Sequence, residues 1–256
     1  MQFSNIKWIN NNPYSIDFND IYFSSDDGLQ ETEYVFIEHN KLKQRFSSLE
    51  NSRFTIVETG FGTGLNFLAT AAHWLTLAPL DAELHYFSIE KYPLALADVT
   101  RAHALWPQFA EISSEFLQKY AKLKTGNNIF SMAGSRIQLA LQADDISHAL
   151  PQISQKADAW LLDGFAPAKN AEMWSNEVFA QVARLSKLNT TFATFTSAGA
   201  VRRGLQTAGC RDGTDGEWHN TARIAPHRKI GRRSARHSVV AGVGSGFKFR
   251  SGFHSF

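Results

Sequence analysis

One cysteine in 256 residues, Cys210, leaves no partner for an internal disulfide, and no Cys/His cluster has zinc spacing. The opening Met1-Gln-Phe-Ser-Asn5 has neither the charged nor the apolar region of a secretory signal. The longest apolar-rich stretch, residues 67–80, is broken by His73 and is too short to cross a bilayer. These absences point to a soluble, cytoplasmic protein with no metal and no membrane partner. The length suits one large α/β domain, or one domain with an appendage, and 43% hydrophobic residues suffice for a sizeable core.

The body also lacks positive charge. Residues 1–210 hold 17 Lys+Arg against 21 Asp+Glu, a net of −4, whereas residues 211–256 hold nine against three, a net of +6. The sequence pI of 8.6 therefore comes from the last segment and says little about the folded body. That segment has no leucine, against 22 before it, and carries four of the nine histidines. Gly242-Val-Gly-Ser-Gly246 resembles a second glycine loop, but ten residues remain for any helix and strand to follow. A disordered basic tail, a truncated second domain and a stretch read out of frame all fit, and the abrupt change favours the last. The expected division is an N-terminal β-arm (1–50), a core (51–209) and a divergent basic tail (210–256).

What the chain does have is Phe54-Thr-Ile-Val-Glu-Thr-Gly-Phe-Gly-Thr-Gly-Leu-Asn66. A β-type run, an acid, three alternating glycines and an apolar run read as strand, tight loop and helix start. Gly60, Gly62 and Gly64 let backbone N–H groups approach a ligand closely. The spacing misses the dinucleotide pattern G-x-G-x-x-G, because Leu65 stands where the third glycine belongs. Glu58 beside the loop would repel a pyrophosphate and suits S-adenosyl-L-methionine, which is cationic and has no phosphate. A nicotinamide dehydrogenase fits less well.

Further strands end in acids too. Residues 84–90 close on Glu90, 26 residues past Gly64, where a carboxylate accepts from ribose hydroxyls; ion pairing with Lys91 or simple exposure is the alternative. Pro93 then opens a helix. Residues 107–127 read as a polar helix and loop. Residues 129–132 and 136–142 alternate and flank Ala133-Gly-Ser135, a hairpin pattern closed by Asp144 and Asp145. One of those two faces the adenine amino group, or one caps the helix at 146–150. Residues 157–163 form a buried-type strand ending in Asp163, followed by a loop to Asn170 and a helix around 174–188. A fifth strand at 190–196 and a helix at 201–207 bearing Arg202 and Arg203 complete the pattern. Ligands of open α/β sheets bind outside the carboxyl ends of the strands, so Glu58, Glu90, Asp145 and Asp163 would share one rim. Upstream, residues 20–24 and 34–37 read as short strands around the turn signal Asp26-Asp-Gly28, bringing Tyr22, Phe23 and Tyr34 over the mouth of a site or into the core.

Residues 20–24, 28–36, 58–67, 90–94, 158–170, 193–199 and 201–205 together resemble the methyltransferase half of the MnmC family, over about residues 14–209. The stretch Asp163-Gly-Phe-Ala-Pro-Ala-Lys-Asn170 is its most specific part. The resemblance implies a class I S-adenosylmethionine-dependent methyltransferase, a Rossmann-like three-layer sandwich with an N-terminal β-arm. It implies N-methylation of 5-aminomethyl-2-thiouridine at the tRNA wobble position by a monomer. Nothing after Gly209 matches the family's closing β-hairpin, and the FAD-dependent oxidoreductase half is absent, so no FAD is expected. Glu58, Gly60, Gly62, Gly64, Asn66, Glu90, Lys91, Asp144 and Asp145 would then serve the cofactor, and Asp163 the reaction. A carboxylate of ordinary pKa is a poor general base at neutral pH, so Asp163 orients the amine and stabilises its developing charge. Tyr22, Phe23, Phe165, Pro167 and Trp174 would meet a splayed base, and Lys169, Arg202 and Arg203 the phosphates. The alternatives are a non-catalytic RNA-binding fragment and a class I methyltransferase for another amine.

Overall fold

The computed structural model describes residues 1–23, 28–196, 198–212 and 223–224. The turn at Asp26–Asp27 and the second glycine loop therefore lie outside the described residues. The chain opens with an antiparallel meander of β1 (Ile6–Ile9), β2 (Asn12–Ser15) and β3 (Asp20–Ile21). A helical stretch follows: α1 (Gly28–Thr32), a π-helical segment Glu33–Glu38 and α2 (Leu42–Ser47). The arm is thus only half β. Tyr34–Ile37, expected as a strand, is helical and buries Val35, Phe36 and Ile37. A four-residue apolar run suits either state, and packing against the core decides it.

The core continues with β4 (Arg53–Thr59), α3 (Leu65–Leu77), β5 (Glu83–Ile89), α4 (Leu96–His103), α5 (Ala110–Tyr120) and β6 (Gly126–Met132). Then come β7 (Ile137–Ala143), α6 (Ile146–Gln152), β8 (Ala157–Leu162), α7 (Asn176–Arg184), β9 (Ser186–Thr194) and α8 (Gly199–Thr207). Short strands β10 (Arg211–Asp212) and β11 (Arg223–Ile224) follow. The helix expected over 174–188 is a 3-10 turn at Ala171–Trp174 plus α7, and β9 starts at Ser186. Leu188 belongs to that strand and is exposed.

Among the described residues the main sheet has the order β10-β11-β9-β8-β4-β5-β7-β6. The ladders β9/β8, β8/β4, β4/β5 and β5/β7 are parallel, and β6/β7 is the expected antiparallel hairpin. Beyond β9, β11 and β10 pair parallel, not as the antiparallel hairpin that the resemblance leads one to seek. Side chains alternate along each strand, which makes the layers. Ile56 and Leu161 join α3, α4 and α5 in one apolar cluster, while Val57, Trp160 and Leu162 join α6, α7 and α8 in another. Burial on both faces fixes the register, because a one-residue slip would exchange the two clusters. The sheet is therefore the middle layer of three, and its carboxyl edge carries the acids.

Candidate functional site

Glu58, near the end of β4, is fully buried. Ser88 Oγ donates to its Oε2 at 2.6 Å and Asn66 Nδ2 to its Oε1 at 2.9 Å. Burial outweighs these donors, and with Asp163 nearby it pushes the Glu58 carboxyl up to about 8. The loop that follows is held by N–H bonds from Gly60 and Phe61 to Ile89 O, at 2.9 and 3.2 Å. Gly60 has φ +86°, and a Cβ there would stand 3.1 Å from Asp163 O and 3.2 Å from Gly164 Cα. The glycine loop and the Asp163 loop are thus in direct backbone contact. Beneath the loop, His103 donates from Nε2 to Thr63 O at 2.8 Å and accepts at Nδ1 from Ser113 Oγ at 2.7 Å. Burial holds this ring below its ordinary pKa and therefore neutral.

Glu90 follows β5 and is half-buried. Gly62 N–H donates to its Oε2 at 2.9 Å and Tyr92 N–H to its Oε1 at 3.0 Å, while burial pushes the carboxyl up to about 7. Lys91 turns away from it to Asp145 Oδ2 at 2.8 Å and Glu172 Oε2 at 3.3 Å. Asp145 caps α6, its Oδ1 accepting from Ser147 N at 2.9 Å. Despite partial burial, the bonds from Lys91 and Ser147 hold Asp145 down to about 2. Asp144 Oδ1 accepts from Asp145 N at 2.7 Å.

Asp163 stands at the end of β8. Its Oδ1 accepts from Gly164 N at 2.8 Å, its Oδ2 from Asn66 Nδ2 at 2.8 Å, and its carbonyl from Thr59 Oγ1 at 2.9 Å. Over this end of the sheet lie aromatics from the arm. Phe165 stacks on Phe18 at a centroid distance of 4.6 Å and meets Tyr22 edge-on at 5.1 Å. Tyr22 hydrogen-bonds Ser4 Oγ at 2.7 Å, and Phe18 lies 6.1 Å from Tyr92. Trp174 donates its indole N–H to Phe165 O at 3.0 Å, and Pro167 is half-buried.

The fold brings Glu58, the three glycines, Asn66, Glu90 and Asp163 together, with Tyr22 and Phe165 above them. It does not bring all the candidates. Phe23 is buried edge-on against Trp106 at 4.6 Å, a core residue with no face for a base. Lys169 pairs with Asp20 Oδ1 at 3.4 Å and donates to Asn19 O, tying its loop to the arm. Arg202 and Arg203 are exposed on α8. Phe18, Thr32, Ser88, Tyr92 and His103 were not singled out from the sequence. Their roles depend on contacts with residues distant in the chain, which leave no local pattern.

The donor set fits S-adenosyl-L-methionine. Each Glu90 oxygen accepts from one backbone N–H, that of Gly62 or that of Tyr92. The loop glycines leave no Cβ over the backbone.

The comparisons agree with this chemistry. Residues 107–214 match the model of an S-adenosyl-L-methionine-dependent methyltransferase family. The chain is 48% identical over 206 residues to the tRNA 5-methylaminomethyl-2-thiouridine biosynthesis bifunctional protein MnmC of Methylobacillus flagellatus, covering 80% of this chain and 32% of that protein. It is 50% identical over 203 residues to the protein of the same name from Chromobacterium violaceum, covering 79% and 31%. The chain thus spans about a third of the length of these relatives. In fold it is similar to the crystal structure of MNMC2 from Aquifex aeolicus, with a TM-score of 0.66 at 21% identity, covering 89% of this chain and 73% of that one. The chain thus shares the fold of that structure, matches an S-adenosyl-L-methionine-dependent methyltransferase family over residues 107–214, and is similar over four-fifths of its length to part of the MnmC proteins.

Proposed function

We propose that the chain N-methylates 5-aminomethyl-2-thiouridine at the tRNA wobble position, acting as a cytoplasmic monomer. The observation that supports this most is the contact between the two loops. With the Asp163 main-chain O 3.1 Å from where a Gly60 Cβ would be, and Asp163 Oδ2 bonded to Asn66 just past the glycine loop, a cofactor on that loop would lie close to residue 163. S-adenosyl-L-methionine would supply an electrophilic methyl on a sulfonium. Glu90 would hold its ribose, and Asp144 its adenine amino group, since Asp145 is committed to Lys91 and to the cap of α6.

Asp163 would then face a neutral primary amine, whose nitrogen gains positive charge as its bond to the methyl carbon forms and the methyl–sulfur bond breaks, the electron pair leaving with the thioether and the surplus proton passing to solvent. A carboxylate fixed by Gly164 N–H and Asn66 stabilises that charge most in the transition state, where it is largest. Placement does the rest, since attack needs nitrogen, carbon and sulfur in line with reacting atoms about 3–3.5 Å apart. Phe165, Phe18, Tyr22 and Tyr92 offer aromatic faces and edges for a base splayed from an anticodon loop. Arg202 and Arg203 supply exposed positive charge for phosphates on a body of net −4, so binding should weaken steeply with salt. Among the described residues no helix is long and apolar enough to cross a membrane.

The test is transfer of labelled methyl to tRNA carrying 5-aminomethyl-2-thiouridine. Wild-type chain is expected to transfer, and Asp163→Ala to lose about 100-fold or more in kcat. Transfer to small amines but not to this tRNA would favour a different substrate. Equal rates for Asp163→Ala would remove the carboxylate from the mechanism.

A further inference from the structure

Asn66 is the second residue of α3, directly after the glycine loop, and was read from the sequence as a cofactor ligand. In the structure its side chain is 6% exposed and spent on the protein itself. The amide Nδ2 donates to Glu58 Oε1 at 2.9 Å and to Asp163 Oδ2 at 2.8 Å. Its Oδ1 accepts from Thr32 Oγ1 at 2.9 Å. A primary amide has two N–H donors, and here both are committed to carboxylates from different strands. The reversed amide would set Oδ1 against the Asp163 carboxylate, acceptor against acceptor, which favours the orientation seen.

We propose that Asn66 is the positioning residue of the reaction: its one amide orients the Asp163 carboxylate toward the amine, and Thr32 of the N-terminal segment holds that amide in place. This rests on the reading of Asp163 given above. Three features of the geometry support it. The bond from Asn66 to Oδ2 and the bond from Gly164 N–H to Oδ1 together fix the plane of the Asp163 carboxylate. Asn66 sits in the first turn of α3, where the free N–H groups and the helix dipole favour negative charge nearby. Thr32 lies 34 residues upstream and its buried hydroxyl donates to the Asn66 amide, so the N-terminal segment braces Asn66 directly.

The experiment is a double-mutant cycle on kcat with a separate titration of S-adenosyl-L-methionine binding to the full chain. Variants are Asn66→Ser, Asp163→Ala, the double variant, Thr32→Val and Thr32→Ser. A positioning role is expected to lower kcat about tenfold or more in Asn66→Ser, with cofactor Kd changed less than about threefold. In the Asp163→Ala background the same change is expected to cost nothing further. Thr32→Val is expected to lower kcat by a smaller factor and Thr32→Ser to restore it. Additive losses in the cycle, or a raised cofactor Kd with unchanged kcat, would overturn the proposal and return Asn66 to the cofactor. Thr32→Val removes one buried hydroxyl and is the milder change, so it decides the matter should Asn66→Ser fail to fold. Full activity in Asp163→Ala alone is a different failure, that of the carboxylate reading itself.

Discussion

The carboxyl edge of the sheet carries two pairs of acids that meet the same problem differently. At the outer end, Asp145 is compensated by a cation, Lys91, at 2.8 Å, and Lys91 in turn reaches Glu172. At the centre, Glu58 and Asp163 are joined by the neutral amide of Asn66 and braced by Ser88 Oγ and Gly164 N–H. The outer pair is wet and partly exposed, so its attraction is screened. The central pair is drier: Glu58, pushed up to about 8, keeps its proton at neutral pH, and the groups that donate to the Asp163 carboxylate are neutral. A region that needs only shape can afford an ion pair. A region that must attract a sulfonium and a developing ammonium holds its Asp163 carboxylate with neutral donors.

Three changes would break or sharpen this contrast, in falling order of effect. Gly60→Ala should do most damage at the centre, because φ is +86° and the new Cβ would press on Asp163 O at 3.1 Å. Loss of S-adenosyl-L-methionine binding by more than about tenfold is expected in a calorimetric titration, from a distorted loop that holds both cofactor and acid. Affinity within about twofold of wild type would show that the loop contact does not matter.

Next comes the pH dependence of stability. Burial pushes the Glu58 carboxyl up to about 8, above its ordinary value of 4.5. The native state therefore keeps a proton that the unfolded state has lost, and stability falls as pH rises from about 4.5 to about 8. Glu90, pushed up to about 7, adds to the same slope. Glu58→Gln removes one of these protons from the balance. Thermal melts from pH 5 to 9 should show a flatter decline for the variant, with the gain relative to wild type at the alkaline end. A parallel decline in both proteins would mean that Glu58 ionises normally.

The smallest effect belongs to the outer pair. Lys91→Gln removes an ion pair that is partly solvent-exposed, and such pairs are worth about 0–1 kcal/mol. Stability should change by no more than that, and KM for S-adenosyl-L-methionine should rise only about two- to fivefold as Asp145 loses its partner, an effect weakened further by salt. A loss as large as that from Gly60→Ala would make the outer pair part of the central machinery.

Much of this arrangement was legible in the sequence where the signal is local. The strand, glycine loop and helix start at 54–66 are a contiguous pattern, and acids after consecutive buried strands point to one rim. Placement of the segments failed where a local pattern had two solutions. Tyr34–Ile37 became helical because apolar residues in so short a run serve either period. Asp145 took the helix cap while Asp144 kept an oxygen outside the bonds described. Long-range ties were invisible. Lys169 reaches Asp20 across the whole body, Phe23 goes to Trp106, and Asn66 links acids 8 residues before it and 97 after it. Spacing carries no trace of a bond between segments that only the fold brings together.

The claim on which the rest depends is that the carboxylate at 163 stabilises the charge born on the amine. Single-turnover methyl transfer to 5-aminomethyl-2-thiouridine tRNA by Asp163→Asn tests it most directly, because the variant keeps the shape and removes the charge. A rate lower by about 100-fold, with cofactor affinity within about threefold of wild type, is the expected result. A rate equal to wild type would contradict it, and the acid at the end of β8 would then be a structural bracket for Gly164 and Asn66 alone.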